Sequence, residues 1–319
     1  MGIELSILYR GPLSSCNYDC HYCPFAKHHE TAAELAEDRR RLERFVNWVC
    51  DRPADDRLSV FFTPWGEALT RSWYRDAIVT LSHAPHIEKV AVQTNLSCRL
   101  AWLEQCRTDR VGLWCTYHPS QTSRSEFLKQ CQQLDRLEVK YSVGVVGLKE
   151  DFGEIERLRR ELTDDVYLWV NAYKDVDDYY DNADIERLEL IDPLFRINNA
   201  RHTSLGRSCR AGEAVVSVDG NGDMRRCHFI KSVIGNIYDN DFGHALTRRP
   251  CTNATCGCHI GYVHLEHLQL DGVFGDGILE RVPDQNMWHV RGAEEARRWA
   301  TSLMSKGAQR LGVEHAAAD

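Results

Sequence analysis

IELSILY at Ile3–Tyr9, AAELAEDRRRLERFVNWVC at Ala32–Cys50 and LSVFFT at Leu58–Thr63 decide the fold of this chain. The first and third stretches are short, apolar and β-prone, as buried strands are. The middle stretch sets Leu35, Leu42, Val46 and Val49 at helical spacing among charges, which makes an amphipathic helix. The alternation continues along the chain. Helices are expected near Ser72–Ser82, at Leu100–Cys106, Ser123–Leu134, Glu154–Leu162 and Ile185–Ile191. Strands are expected at Lys89–Thr94 (KVAVQT), Val111–Tyr117, Leu137–Val146 and Val166–Asn171 (VYLWVN). Six strand–helix units in succession imply a parallel sheet with helices outside it, and fall short of the eight that close a TIM barrel. The expected fold class is therefore α/β, a partial (β/α)6 TIM-like barrel over residues 1–195. Such sheets place ligands at the carboxyl ends of their strands, so chemistry is expected in the loops that follow them.

Past Asp192 the texture changes, and a domain boundary is expected near Pro193–Leu205. Val215–Val218, the turn Asp219-Gly220-Asn221-Gly222-Asp223 and Met224–Ile230 read as a hairpin, because Asn-Gly and Asp-Gly favour the positive φ of tight turns. A small cysteine-rich α+β module is expected over residues 196–265 and a C-terminal extension over residues 266–319. In that extension Ala293–Leu311 reads as one amphipathic helix, and the last residues, EHAAAD, as a frayed end.

The chain has 319 residues, with Lys+Arg 39 against Asp+Glu 47 and a net charge of −8. That balance argues against general nucleic-acid binding, which wants positive surface. There is no apolar run of 18 residues, so no membrane helix is expected, and Met1–Arg10 lacks the pattern of a signal peptide. A cytoplasmic location is the expectation. In that reducing compartment 13 cysteines are not a disulfide framework, and clustered ones suggest metal or catalysis.

The first cluster follows the first strand: Ser15-Cys16-Asn17-Tyr18-Asp19-Cys20-His21-Tyr22-Cys23-Pro24-Phe25. Cys16, Cys20 and Cys23 form a C-x3-C-x2-C pattern whose thiolates can converge on one iron–sulfur cluster and leave one iron open. Three cysteines among Asn, Asp and His do not read as core filler. A zinc site is the alternative, with His21 or a distant cysteine as fourth ligand.

This pattern resembles the signature of the radical S-adenosylmethionine superfamily, C-x3-C-x-aromatic-C, with Tyr22 at the aromatic position. The resemblance implies a 4Fe–4S cluster on Cys16, Cys20 and Cys23, with the amino and carboxylate groups of S-adenosylmethionine on the fourth iron. It implies reductive cleavage of the sulfonium to a 5′-deoxyadenosyl radical that abstracts hydrogen from substrate. In this family a Gly-Gly-Glu-Pro-like turn after the second strand meets the methionyl ammonium. Gly66 and Glu67 match that turn, whereas Trp65 and Ala68 depart from it. Asn95, Thr116, Val146 and Asn171, at the ends of the third to sixth strands, are the further cofactor contacts the resemblance suggests. The plainer reading of each is a turn former at a strand end. His118, in the loop after the fourth strand, reads as an ordinary loop histidine.

Cys209 and Cys227 flank the hairpin, and Cys251, Cys256 and Cys258 follow. The arrangement resembles the SPASM and twitch modules of some radical enzymes. Five cysteines suffice for one auxiliary 4Fe–4S cluster with one to spare, and spacing does not say which of Cys251, Cys256 and Cys258 is extra. Zinc held by four of the five is the alternative. Cys50, Cys98, Cys106, Cys115 and Cys131 read as core filler. The function implied is hydrogen abstraction from a peptide or protein. A small-molecule radical oxidase or dehydrogenase, with the auxiliary cluster accepting an electron, is the second reading. A non-catalytic zinc or iron–sulfur scaffold is the third. The implied partners are the substrate and an electron donor such as flavodoxin or ferredoxin.

Overall fold

The computed structural model describes residues 2–25, 28–284, 298 and 300–302. Strands and helices alternate as β1 (Glu4–Arg10), α1 (Ala32–Cys50), β2 (Arg57–Phe62), α2 (Ser72–His83), β3 (Ile87–Thr94), β4 (Val111–Tyr117), α3 (Arg124–Arg136), β5 (Lys140–Val146), α4 (Phe152–Glu161), β6 (Leu168–Asn171) and α5 (Asn182–Glu189). Shorter elements follow: α6 (Phe195–Asn199), β7 (His202–Thr203), β8 (Val215–Asp219), β9 (Asp223–Arg225), β10 (Val233–Asn236), β11 (Thr255–Cys256), α7 (His259–Tyr262) and α8 (Asp271–Phe274). No helix among the described residues is long and apolar enough to cross a membrane.

β1 to β6 lie side by side in chain order, every pair parallel. The molecule is thus a mixed α/β protein built on a large parallel sheet. The sheet does not stop at β1. β8 pairs parallel with its other edge, Ser6 opposite Val215, and β9 and β10 add antiparallel, so the full order is β10-β9-β8-β1-β2-β3-β4-β5-β6. The expected hairpin forms, but its second strand ends at Arg225 rather than Ile230. The backbone turns there, with Ile230 N–H donating to Cys227 O. Gly222 sits at φ +88° in the hairpin turn, where a side chain would also meet the Tyr238 ring. Both facts require glycine.

Alternate side chains of each strand face opposite sides of the sheet. Ile7, Tyr9, Val60, Phe62, Val90, Val92, Leu113, Val143 and Val145 pack with helix residues such as Leu42, Phe45, Val46 and Val49 of α1. Helix α1 is started by a capping box between Thr31 and Glu34. Each such fully buried Phe, Leu or Val contributes about 1.5–3 kcal/mol. Leu8, Phe61, Ala91, Trp114 and Trp169 face the other way and pack with Cys209, Tyr262, Val263, Leu265 and Phe274. Residues between 209 and 274 therefore cover the face of the sheet opposite α1.

Other boundaries differ from expectation as well: β6 starts at Leu168 rather than Val166, and α5 spans Asn182–Glu189 rather than Ile185–Ile191. Leu137–Val139 is not strand, because Leu137 caps α3 and Glu138 turns at φ +54°, so β5 starts at Lys140. The short helix expected at Leu100–Cys106 is a 3-10 helix, Ala101–Gln105. The expected helix at Ala293–Leu311 and the EHAAAD end lie outside the described residues, apart from a few positions between 298 and 302.

Candidate functional site

The loop after β1 carries the first three thiols, and its base is clamped by two acids. Asp38 of α1 accepts from Leu13 N–H (3.1 Å), Trp73 Nε1 (2.7 Å) and Tyr74 Oη (3.2 Å). Glu30 accepts from the backbone N–H of Ser14 and Ser15 and from the Ser14 hydroxyl. Burial disfavours the Glu30 charge, but the Ser15 and Ser14 donors outweigh it and hold the carboxyl at about 2. These bonds orient the chain just before Cys16.

The Cys16 thiol lies within electrostatic reach of the Cys20 and Cys23 thiols, and Cys23 N–H donates to Cys20 O. Burial pushes the Cys16 thiol up to about 11, and the Tyr18 N–H offsets this only in part. A bound metal replaces that thiol proton outright. Donors from neighbouring strand ends converge on the sulfurs. Asn95 Nδ2 reaches Cys16 Sγ at 3.6 Å and Asn17 Oδ1 at 3.0 Å. His118 Nδ1 lies 3.4 Å from Cys20 Sγ and 2.7 Å from Tyr22 Oη, and the Tyr22 and His118 rings stack. Burial lowers His118 to about 4, so its imidazole is neutral. His118, read from sequence as a loop residue, is in fact part of the thiol environment. Hydrogen bonding to cysteine sulfur is a lever by which proteins tune iron–sulfur groups, so the residues present fit such a group.

The turn after β2 packs directly on this loop. Trp65 and Gly66 N–H both donate to Leu13 O, and Glu67 N–H donates to Ser15 O at 3.0 Å. A Cβ on Gly66 would stand 1.9 Å from Ser15 O, so only glycine allows the approach. Trp65 fills the position of the first glycine in the turn that the resemblance suggested. Its ring is capped by the Arg10 guanidinium at 4.0 Å and leans on Phe25 at 4.3 Å.

The Glu67 carboxylate is engaged by donors of the protein itself. It is 4% exposed and accepts from Leu69 N–H (3.0 Å), the Thr94 hydroxyl (2.8 Å) and Asn95 N–H (2.6 Å). Burial raises its pKa against those three donors. It is a bracket that places Asn95.

The remaining candidates lie along the same carboxyl edge. Thr116, next to the end of β4, is buried and its hydroxyl has no partner. Val146 and Asn171 end β5 and β6 and are register neighbours, with Gly147 N–H donating to Asn171 O at 2.9 Å. The structure thus joins Cys16, Cys20, Cys23, Tyr22, Gly66, Glu67 and Asn95 into one bonded assembly. Thr116 is two residues from His118, and Val146 and Asn171 stand further along the edge.

The second group of thiols also assembles. Cys209, Cys227, Cys251, Cys256 and Cys258 all line one cavity of about 290 Å³, together with Lys174, Arg226, Phe229 and Gly261. They surround a space rather than a point. Among the described residues no three His, Cys, Asp or Glu side chains are placed to hold a single metal ion. Arg226 is 3% exposed, and its Nε and Nη2 find no partner. It is in electrostatic reach of Cys209 and Cys227. Its Nη1 donates to Pro250 O, and the two remaining nitrogens of this buried guanidinium beside a ring of thiols fit an anionic thiolate-held group in the cavity. Nothing in the sequence singled out Arg226, Glu30 or Lys174, since their partners lie elsewhere along the chain.

The solved structure of native anSMEcpe with bound AdoMet is similar with a TM-score of 0.53 at 13% identity, covering 95% of this chain and 99% of that one. That of native anSMEcpe with bound AdoMet and Kp18Cys peptide is similar with a TM-score of 0.52 at 12% identity, over 96% of this chain and 99% of that one. At these identities the likeness shows a shared fold. No protein-family model matches the chain, and no curated protein sequence matches it.

Proposed function

We propose that this chain is a radical S-adenosylmethionine enzyme that abstracts hydrogen from a peptide or protein substrate. The observation that carries the reading is the assembly of Cys16, Cys20 and Cys23 on one loop at the carboxyl edge of a parallel sheet, braced by the turn after β2 and by Asn95. In this reading the three thiols hold a 4Fe–4S cluster, and the sheet is the partial TIM-like barrel of that superfamily. With S-adenosylmethionine bound, such a cluster supplies one-electron cleavage of the sulfonium. Asn95 and His118 orient the sulfurs of Cys16 and Cys20, and Tyr22 fixes the His118 ring. The unpartnered Thr116 hydroxyl offers a donor for the cofactor, and the backbone at Gly66, Val146 and Asn171 offers polar groups at strand ends. The likeness to a fold that binds AdoMet and a peptide supports this substrate class.

In the same reading residues 1–195 form the cofactor-binding unit, residues 196–265 a twitch-like module with one auxiliary 4Fe–4S cluster, and residues 266–319 an extension. A cytoplasmic flavodoxin or ferredoxin serves as electron donor. The five-thiol cavity favours a second reading, a small-molecule oxidase in which the auxiliary cluster accepts the substrate's electron.

Anaerobic reconstitution tests the proposal. Two four-iron clusters give about eight irons, and changing Cys16, Cys20 and Cys23 together to Ala leaves about four. The triple variant should make no 5′-deoxyadenosine after reduction with dithionite. Bound zinc without broad visible absorption would instead support a scaffold role. Product from a peptide, against product from a small alcohol or amine, separates the two enzymatic readings.

A further inference from the structure

We propose that Arg281, His259 and Trp114 form a binding site for one carboxylate on the face of the sheet opposite α1, and that the substrate of this protein carries that carboxylate. The site is read from its geometry, and its part in substrate choice rests on the radical-enzyme reading above.

The floor of the site is built from β4, β5 and β6. A Cβ on Gly144 of β5 would stand 1.9 Å from the Trp169 ring, so glycine there lets Trp169 of β6 lie against β5. Trp169 Nε1 donates to Ser142 Oγ at 3.2 Å, and that hydroxyl donates to Glu280 O at 2.6 Å. Lys89 Nζ holds the Glu280 carboxylate at 2.7 Å. These bonds anchor the chain beside Arg281, which sits at φ +58°, a left-handed conformation rare for a residue with a side chain. Such a conformation persists where the surroundings over-determine it. The Arg281 side chain is buried, with Cζ 4.4 Å from the Trp169 ring centroid and 5.5 Å from that of Trp114. Its Nε and Nη1 have no partner.

Two more nitrogens gather at the Trp114 ring. Trp114 Nε1 is itself buried without a partner. The His259 ring centroid lies 5.3 Å from that of Trp114, and His259 Nε2 is also buried and unpartnered. A chain of hydrogen bonds sets the His259 tautomer. Asn198 Oδ1 accepts Ala172 N–H at 2.6 Å, so Asn198 Nδ2 is the atom that donates to Tyr262 Oη at 3.0 Å. The Tyr262 hydroxyl proton then goes to His259 Nδ1, at 3.4 Å, and the ring keeps its own proton on Nε2. Burial keeps the imidazole neutral. Four buried N–H donors around one ring thus lack an acceptor, which is costly until one arrives. The Arg281 charge is felt by Asp192, but that carboxylate already accepts from Tyr167 Oη, Val170 N–H and Leu194 N–H. One guanidinium among neutral donors suits a carboxylate, which brings one negative charge and two acceptor oxygens.

The site lies below the cysteine loop. Alternate residues of a strand share a face, so Trp114, Thr116 and His118 follow one another up β4 on one side. His118 reaches Cys20 Sγ, and the Thr116 hydroxyl is unpartnered. From Trp114 to His118 is about 13 Å of extended chain. A substrate anchored by its carboxylate at Trp114 therefore presents its more distant atoms toward the thiols. Solvent does not reach the four nitrogens, so the carboxylate displaces packing rather than water. Arg281, stacked rather than bonded at Nε and Nη1, is the group that turns to admit it.

The test is calorimetric titration, without oxygen, of the full-length reconstituted protein with 4-phenylbutyrate and with 4-phenylbutyramide. The acid should bind about ten- to hundred-fold more tightly than the amide, as expected for a charge-assisted bond. Arg281→Gln should lower the affinity for the acid by the same factor and leave that for the amide unchanged. Trp114→Phe keeps an aromatic ring and removes Nε1; it locates the site if Arg281→Gln fails to fold by circular dichroism, and should weaken the acid alone. Two capped peptides separate the sources of the carboxylate: N-acetyl-Gly-Glu-Gly-amide carries it on a side chain, and N-acetyl-Gly-Gly-Gly at the C-terminus. Equal affinity for acid and amide, binding of neither, or undiminished affinity for the acid in a folded Arg281→Gln or Trp114→Phe variant overturns the site. A protein that takes up no iron or makes no 5′-deoxyadenosine refutes the radical-enzyme reading instead, and the same titrations still decide whether the carboxylate site exists.

Discussion

The Glu67 carboxylate accepts the backbone N–H of Asn95 at 2.6 Å and so joins the turn after β2 to the end of β3. Asn95 in turn aims its amide at Cys16 Sγ. Glu67 is thus linked to the thiols through the backbone of Asn95.

Replacing Glu67 tests that role. Glu67→Ala leaves two backbone N–H groups and the Thr94 hydroxyl buried without an acceptor, at about 1–3 kcal/mol for each group left unsatisfied. The metal-free protein should lose about 3 kcal/mol or more in urea unfolding. Glu67→Gln keeps one acceptor oxygen and should lose less. Equal stability of Glu67→Ala and wild type would remove the bracket from the account.

Gly66→Ala puts a methyl 1.9 Å from Ser15 O, a backbone atom that cannot rotate away. The cysteine loop must shift, at about 1–3 kcal/mol. Iron retained after reconstitution should fall at the first site and stay intact at the second. Mössbauer or EPR spectra of the reconstituted variant distinguish the two.

The Glu30 carboxyl sits at about 2 in the folded protein against an ordinary 4.5. Its folded pKa is depressed, so its stabilisation is present above 4.5 and is lost as pH falls toward 2. Wild type and Glu30→Gln should therefore differ most at neutral pH and converge on acidification. Denaturant midpoints of the metal-free proteins between those limits check this, and a difference independent of pH would count against it.

Arg226 carries a buried charge with two unpartnered nitrogens, which is costly without an anion nearby. Arg226→Met should leave the metal-free protein as stable or more stable, by about 1 kcal/mol. The loaded variant should lose iron from the second site faster than wild type when challenged with a chelator. Thermal unfolding and iron-release rates give the two signs separately, and equal release rates would deny Arg226 its role.

Much of this protein is legible along the chain because the relevant signals are local. The spacing of Leu42, Val46 and Val49 writes α1, and the apolar runs at Ile3–Tyr9 and Leu58–Thr63 write β1 and β2 to within a residue. Cys16, Cys20 and Cys23 fall within eight residues, so any loop conformation keeps them near one another. The Asn221-Gly222 step marks the β8–β9 turn because positive φ is a property of single residues.

Tertiary structure alone decided the rest. His118 lies 98 residues from Cys20, and Asn95 is 79 from Cys16, yet both bond to sulfur. No periodicity encodes such pairs, because parallel strands bring their ends together through crossovers of unrelated sequence. That β8 extends the main sheet beside β1 follows from edge pairing, which leaves no mark in either strand. Glu67 and Arg226 show the same limit from the side of electrostatics. A carboxylate and a guanidinium look like surface or ligand groups in a sequence, and only the packing of distant segments determines that both are buried, one with three donors and the other facing a cavity of thiols.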